Sequence, residues 1–541
     1  MGFTLSAFLF DAKKSISIFL AVLFPFLSVM GITVPKQGSG TAVTSQVTGC
    51  LYASTDKIRK YELIEKNAKY DMYLAKYERE ACQLVLKSTS MQGNLEWKMT
   101  DFVNAAGDIL KSSVFRESYI NVSTNNVPEY YPDAIVPFAG GRFSLFETNA
   151  NQPFYIQVYS SPETPVGQYK STISILNSDT KKVECTFNIT ATVWNFTLPQ
   201  TPSCETAMGL DKSYIAAKNG VAADSAEAQA LYEKYYECLL EHKISAYNLP
   251  VDILSDEADT YMSDPRVTSF CIPYSNNDEL LVKYYNKVKS NPVWAAKGFF
   301  YPIDEPSSAA DYATYCQMTD RLARLCPGYH MVTPFYKYKF TDAGTDFNSI
   351  EQQKGRSDII CANSNLYDEN GLAQQVADRV ATGDKSWWYV CCGPKGDYCN
   401  LFTSWEGIQH RLLFWQQKQC NVTGLLYWST TYWADVDDVW TQALTTPWTG
   451  NDSFGDGSLF YNGNKVGING PVSSLRLEAV TDGIEDYEYL TIAQKIFGED
   501  YVTRTIAKLS SSLTEYTYSD ALFACVREKL GNDISTYTSD K

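Results

Sequence analysis

The run Gly298-Phe-Phe-Tyr-Pro-Ile303 is apolar and ends abruptly in Asp304-Glu305, followed by Pro306. Ionised carboxylates closing such a strand are costly unless a polar site receives them. Two carboxylates this close titrate as a coupled pair, and one keeps its proton near neutral pH. That is the equipment of a general acid–base centre with a charge-stabilising neighbour. Other acidic pairs, such as Asp256-Glu257, Asp278-Glu279, Asp368-Glu369 and Glu499-Asp500, lie in polar, turn-like surroundings and read as solvated. Further along, Tyr336, Asn363, Trp388, Tyr389, Trp428, Tyr432 and Trp433 fall at or just past the ends of strand-like runs. Aromatic faces stack on the C–H faces of pyranose rings, while Tyr, Trp and Asn polar atoms bond hydroxyls. Any one of these residues could equally fill a core; their clustering is what suggests a sugar site.

The elements that must position them follow an alternating rhythm. Strands are predicted at 206–210, 244–249, 267–272, 298–303, 329–335, 358–363, 387–392 and 424–429, with helices between several of them, notably 226–241, 309–325 and 405–417. Eight strands at this spacing predict a (β/α)8 TIM-type barrel over 201–499, with an open doubly wound sheet as the alternative. Chemistry then belongs at the C-terminal ends of the strands, where Asp304 and Glu305 stand. Residues 50–200 carry β-branched and aromatic runs separated by Pro, Gly, Asn and Asp clusters, which predict an all-β sandwich. The stretch 198–203 reads as a linker between the two, and 500–541 as a closing helical segment. Lys13-Lys14 followed by an apolar stretch predicts a signal peptide or membrane anchor over 1–34, tethered by a polar linker at 35–49. A secreted or cell-surface location is expected.

Composition narrows the function classes. Lys and Arg number 46 against 62 Asp and Glu, a net charge of −16. This balance argues against nucleic acid and against anionic membrane surfaces. Only three histidines occur, with no HExxH, and no CxxC stands among 14 cysteines. No metal site or cofactor is implied, and most of the cysteines read as buried thiols.

The chain resembles glycoside hydrolase family 123, the β-N-acetylgalactosaminidase family, over roughly residues 70–495. The likeness rests on YPDAIVP (131–137), PETPVGQY (162–169), NFTLPQTPS (195–203), HKISAYNLP (242–250), DPRV (264–267), YPIDEP (301–306), WWYVCCGP (387–394), GLLYWSTTYW (424–433), GDG (455–457) and SSLRLEAVTDGIEDYEYL (473–490). Thr481 stands where the family usually has Arg. The resemblance implies a sandwich followed by a barrel, with Asp304 and Glu305 as the catalytic pair. Adjacent residues can hardly flank a glycosidic carbon about 5 Å apart, as two enzyme carboxylates must. Substrate-assisted cleavage by the sugar's 2-acetamido oxygen removes the difficulty. The expected activity is therefore retaining removal of β-linked N-acetylgalactosamine from a glycan substrate, on glycolipid or glycoprotein. Two alternatives stand beside it. One is a glycosidase using a distant nucleophile, such as Glu406 or Glu478, on a sugar without the acetamido group. The other is a non-catalytic glycan-binding surface protein.

Overall fold

The structure is a computed structural model that describes residues 46–122, 128–433, 436–441 and 453–539. The expected leader at 1–34 and most of the polar linker lie outside these residues. Val47–Ala53, whose first residues fall within that linker, is already a strand.

Thirteen strands form one hydrogen-bonded sheet folded into two layers. In one layer, Val47–Ala53, Glu78–Ser88, Asn151–Ser160, Ile109–Asn121 and Tyr130–Pro137 pair antiparallel in that order. The other runs Lys69–Lys76, Val183–Thr197, Gly167–Asn177, Gln92–Met99, Gly141–Leu145. Leu84, Phe154 and Ile156 from the first layer and Ile173, Phe187 and Ile189 from the second share a core. Gly167–Asn177 shows the cause: Tyr169, Ser171, Ile173 and Ile175, every second residue, are buried, as the strand period of two requires.

Glu78–Ser88 breaks that alternation, being buried almost throughout, because its outer face is covered by the C-terminal half of the chain. Pro471–Ser474 adds to the sheet beside Tyr130–Pro137. Helix Asp520–Ser539 lies against Val183–Thr197, where the Trp194 indole donates to Asn532 at 2.9 Å. The stretch 198–203, expected as a linker, is packed instead. Leu198 N donates to Lys76 O at 2.9 Å, and Ser203 Oγ donates to Glu488 at 2.8 Å.

From 205 onward every ladder of the next two sheets is parallel. Five strands stand in the order Glu205–Met208, Gly424–Tyr427, Lys385–Val390, Ile359–Asn363, Val332–Phe335. Phe270–Ile272 pairs with Gly298–Phe300. Single parallel bridges join Phe300 to Met331 and Met208 to Ala246, and Cys271 N donates to Tyr247 O at 2.6 Å. The predicted strand 244–249 is therefore one bridge and flanking bonds rather than a ladder, since Pro250 supplies no N–H and ends the run at once. Alternate residues divide the space. Ala207, Phe299, Val332, Ile359, Cys361, Trp387, Tyr389 and Leu426 pack on one another. Phe300, Ile360, Ala362, Trp388, Val390 and Leu425 face the helices. Those helices include Ala226–Glu241, Asp278–Lys289, Ala309–Leu325 and Gly407–Gln419. Ser225, Asn277 and Ser308 cap the first three by accepting backbone N–H bonds. A hairpin that the sequence reading missed, Lys339–Asp342 with Thr345–Asn348, follows the strand Val332–Phe335. Among the described residues no helix is long and apolar enough to cross a membrane.

Candidate active site

Tyr301, two residues past Phe299, belongs to the set of side chains packed inside the parallel strands. Its hydroxyl donates to Asp304 Oδ1 at 2.6 Å, while Asp304 itself is exposed. Glu305 follows with φ +43°, a left-handed conformation that only a few non-glycine residues adopt. Such a residue costs about 1–3 kcal/mol and persists where surrounding contacts over-determine it. Here the contact is the Tyr389 hydroxyl, which donates to Glu305 Oε1. The turn thus sends two adjacent carboxylates to two different tyrosines. Burial pushes the Glu305 carboxyl above its ordinary range; the Tyr389 hydrogen bond opposes this and the Asp304 charge adds to it. A half-buried acid with a raised pKa beside an exposed acidic neighbour can serve as a proton donor with an electrostatic partner.

Around this pair stand polar atoms that have no partner among the described residues. Asn363, 5% exposed, pairs in register with Tyr389 and donates to Gly393 O at 3.4 Å, while its Oδ1 is buried and unpaired. The Tyr247 hydroxyl, next to Tyr301 at 5.9 Å between ring centroids, is also buried and unpaired. Buried polar groups are nearly always satisfied. Unpaired ones gathered at the ends of parallel strands mark where a hydroxyl- or amide-bearing ligand would bond.

Past the strand Gly424–Tyr427, Trp428 lies 4.9 Å from Tyr432 between centroids. The Trp428 indole N–H donates to Asp456 Oδ1 at 3.0 Å, and the Tyr427 hydroxyl reaches the same oxygen at 3.3 Å. Burial pushes the Asp456 carboxyl up to about 6, against those two hydrogen bonds.

Strand parity sorts the predicted residues. Tyr389, Asn363, Trp428 and Tyr432 come together with Asp304 and Glu305 or on the neighbouring strand end, and Tyr336 is exposed just after Val332–Phe335. Two expectations are corrected. Trp388 is wholly buried on the helix-facing side, with its indole N–H on Gln417 at 3.0 Å. One step along a strand turns a side chain to the opposite face. Trp433 is also wholly buried, bonded to Ser458 and edge-on to Tyr235 of helix Ala226–Glu241. Neither can touch a substrate. Tyr247, Tyr301 and Asp456 were missed; the signal available for Tyr301 was the same parity, counted back from Glu305, and for Asp456 the glycine bracket around it.

The distant acids are also placed. Glu478 is 5% exposed and bonded to His242 at 2.9 Å, to Gln157 and to Ser473. Although burial opposes it, the His242 charge holds the Glu478 carboxyl down at about 2, and Glu478 in turn raises His242 to about 10. This is an ion pair between the helix Leu475–Phe497 and the segment ahead of 244–249. Glu406 caps helix Gly407–Gln419 through a reciprocal box with Gln409. Both acids have structural partners away from Glu305.

Residues 274–493 match the glycoside hydrolase 123 catalytic domain, a span that includes Asp304, Glu305, Asn363, Tyr389, Trp428 and Asp456. No curated protein sequence matches the chain. Among solved structures, a family 123 glycoside hydrolase from Clostridium perfringens, described for glycolipid glycan hydrolysis, shares the fold. The identity is 14%, with 92% of this chain and 98% of that one covered and a TM-score of 0.68. A Ruminococcus gnavus β-glucuronidase aligns over 82% of this chain and 69% of its own at 10% identity, with a TM-score of only 0.27. The acidic pair thus lies inside a stretch that matches the glycoside hydrolase 123 catalytic domain, on a fold shared with a family 123 enzyme, and that stretch is a glycoside hydrolase domain.

Proposed function

We propose that the protein removes β-linked N-acetylgalactosamine by substrate-assisted hydrolysis with retention, on a (β/α)8 barrel whose strand ends hold the acidic pair. The observation that carries this reading is the turn at Asp304-Glu305. Two consecutive carboxylates, one exposed and one half-buried with a raised pKa, are held by separate tyrosines on one side of the site. With both carboxylates in one turn, the nucleophile on the far face of the sugar is then the sugar's own acetamido oxygen. The barrel reading is supported by the parallel pairings and bridges that link all eight strand positions in turn.

In the first step the acetamido oxygen forms a bond to C1. The C1–O bond breaks with its electron pair going to the leaving oxygen, which takes the proton of Glu305. Asp304 accepts a hydrogen bond from the acetamido N–H and compensates the positive charge of the oxazolinium as it forms. In the second step water attacks C1 and gives a proton to the Glu305 carboxylate, while the bond from C1 to the acetamido oxygen breaks with its electron pair returning to that oxygen and restoring the amide. The unpaired Asn363 Oδ1 and Tyr247 hydroxyl would bond the sugar's polar groups. The glycolipid glycan studied with the Clostridium perfringens enzyme is one natural substrate class to try.

The test is turnover of aryl β-glycosides with and without the 2-acetamido group. Rapid hydrolysis of the N-acetylgalactosaminide and poor hydrolysis of the galactoside are expected. Equal rates on the two, or a fluoro-sugar ester trapped on another carboxylate, would refute acetamido participation. Asp304→Asn should lower kcat about 10²-fold or more with a smaller change in KM, because the compensated charge exists only in the transition state.

A further inference from the structure

Asp456 is 1% exposed, yet one of its carboxylate oxygens, Oδ2, has no partner among the described residues. Its other oxygen accepts from the Trp428 indole at 3.0 Å and the Tyr427 hydroxyl at 3.3 Å. The turn that carries it has glycines on both sides in left-handed conformations, Gly455 at φ +79° and Gly457 at φ +71°. A Cβ on Gly457 would stand 2.3 Å from the Trp428 ring, and one on Gly455 would stand 2.2 Å from Thr403 Oγ1. The turn is therefore pressed directly against the indole, and only glycine permits that approach. Trp428 directly follows Gly424–Tyr427, the strand paired with the one that carries Tyr389, and it and Tyr427 reach the same Asp456 oxygen. Its ring is half-buried, with Tyr432 4.9 Å away.

We propose that Asp456 is a positioning residue for carbohydrate binding, its carboxylate fixing the Trp428 indole in the orientation that presents the ring face to the sugar. This rests on the glycosidase reading above and adds to it a third acid that touches neither substrate nor reacting atoms. An indole rotates about two side-chain torsions, and a charge-assisted N–H···O bond from a rigid buried turn selects one of the resulting orientations. A ring fixed before binding spares the ordering cost that a loose ring would charge against affinity.

The test is a double-mutant cycle of Asp456→Leu and Trp428→Phe, with Asp456→Asn as the conservative variant. All are measured on an aryl N-acetyl-β-galactosaminide and by calorimetric titration with N-acetylgalactosamine. Phe keeps an aromatic face but has no N–H. Asp456→Leu is expected to raise KM and the sugar Kd about tenfold, with kcat changed less than about threefold. Asp456→Asn, which keeps an acceptor oxygen, should fall between it and the wild type. Once Trp428 is Phe, either change at 456 should have little further effect on Kd. If Asp456→Leu does not fold, the cycle is completed with Asp456→Asn. Additive effects of the two sites, or a loss confined to kcat, would overturn the positioning role. Sugar binding by the wild type that the variants leave unchanged overturns it while leaving the glycosidase reading intact. A wild type that hydrolyses no aryl glycoside but binds the sugar refutes that reading, and the Kd cycle still decides the role of Asp456. A wild type that neither binds nor hydrolyses overturns both.

Discussion

Glu305 carries its functional character in three local facts: a left-handed backbone, partial burial and one tyrosine. Glu305→Gln should reduce turnover of substrates with poor leaving groups by about 10²–10⁴-fold, with less loss on activated aryl glycosides that need no proton. Near-normal turnover of a natural glycan by this variant would remove the assignment. The raised pKa sets the pH profile. The acid must be protonated to work, so activity persists above the ordinary glutamate range and falls as pH rises through the Glu305 pKa. Tyr389→Phe sharpens the point. The Tyr389 hydrogen bond favours ionised Glu305, so its removal should move the alkaline limb of kcat/KM to higher pH. A limb that stays in place or moves down contradicts the acid role of Glu305.

At the scale of elements, the ends of the parallel strands are brought together by close backbone contacts. Gly209 follows the strand Glu205–Met208, donates to Tyr427 O at 2.9 Å and accepts from Thr430 N at 2.8 Å. A Cβ there would stand 2.0 Å from the Trp428 carbonyl oxygen, which is backbone and cannot swing away. Gly209→Ala must spread the first and last strands of the set. We expect a loss of about 1–3 kcal/mol, typical of overpacking, read as a lower Tm, together with weakened sugar binding because Trp428 moves with its carbonyl. A stable variant with unchanged KM would show that the strand ends are looser than this contact implies.

Across the whole molecule, the sandwich and the catalytic half are joined by buried charge. Arg411 bonds Asp486 at 2.7 Å, Asp482 at 3.1 Å and Glu80 at 3.3 Å. Arg527 bonds Asp486 at 2.6 Å and Glu80 at 3.0 Å, and also Glu78. Arg476 bonds Asp133 at 2.8 Å. Glu78, Glu80 and Asp133 lie on sandwich strands, whereas the arginines come from three helices of the other half. Such pairs add little over a well-packed apolar contact, but breaking one leaves a buried charge uncompensated, at about 3–5 kcal/mol. Arg411→Ala should therefore lower Tm and expose the joint to protease, and Arg411→Met should do no better, since three acids remain. Separate unfolding of an intact sandwich in wild-type protein would contradict the view that the halves are one cooperative unit.

The sequence by itself determined the local matters. Period-two runs announced the sandwich strands. The apolar run ending at Asp304-Glu305 singled out the candidate acidic pair, because a carboxylate at the end of a buried strand has no cheap alternative to a polar site. Apolar spacing placed helices 226–241 and 309–325 where they stand. Tertiary structure decided what depends on facing. Trp388 and Tyr389 are both large, aromatic and adjacent, yet one packs on Gln417 and the other bonds Glu305. Composition cannot separate them, since only strand register fixes which neighbour turns inward. Likewise Glu478 and Glu305 are both acids next to apolar runs, the first buried and the second half-buried. One is paired with His242, 236 positions away in sequence, and the other, bonded to Tyr389, has its carboxyl raised by burial. That distinction arises from partners brought together by the fold, and a chain read residue by residue does not contain it.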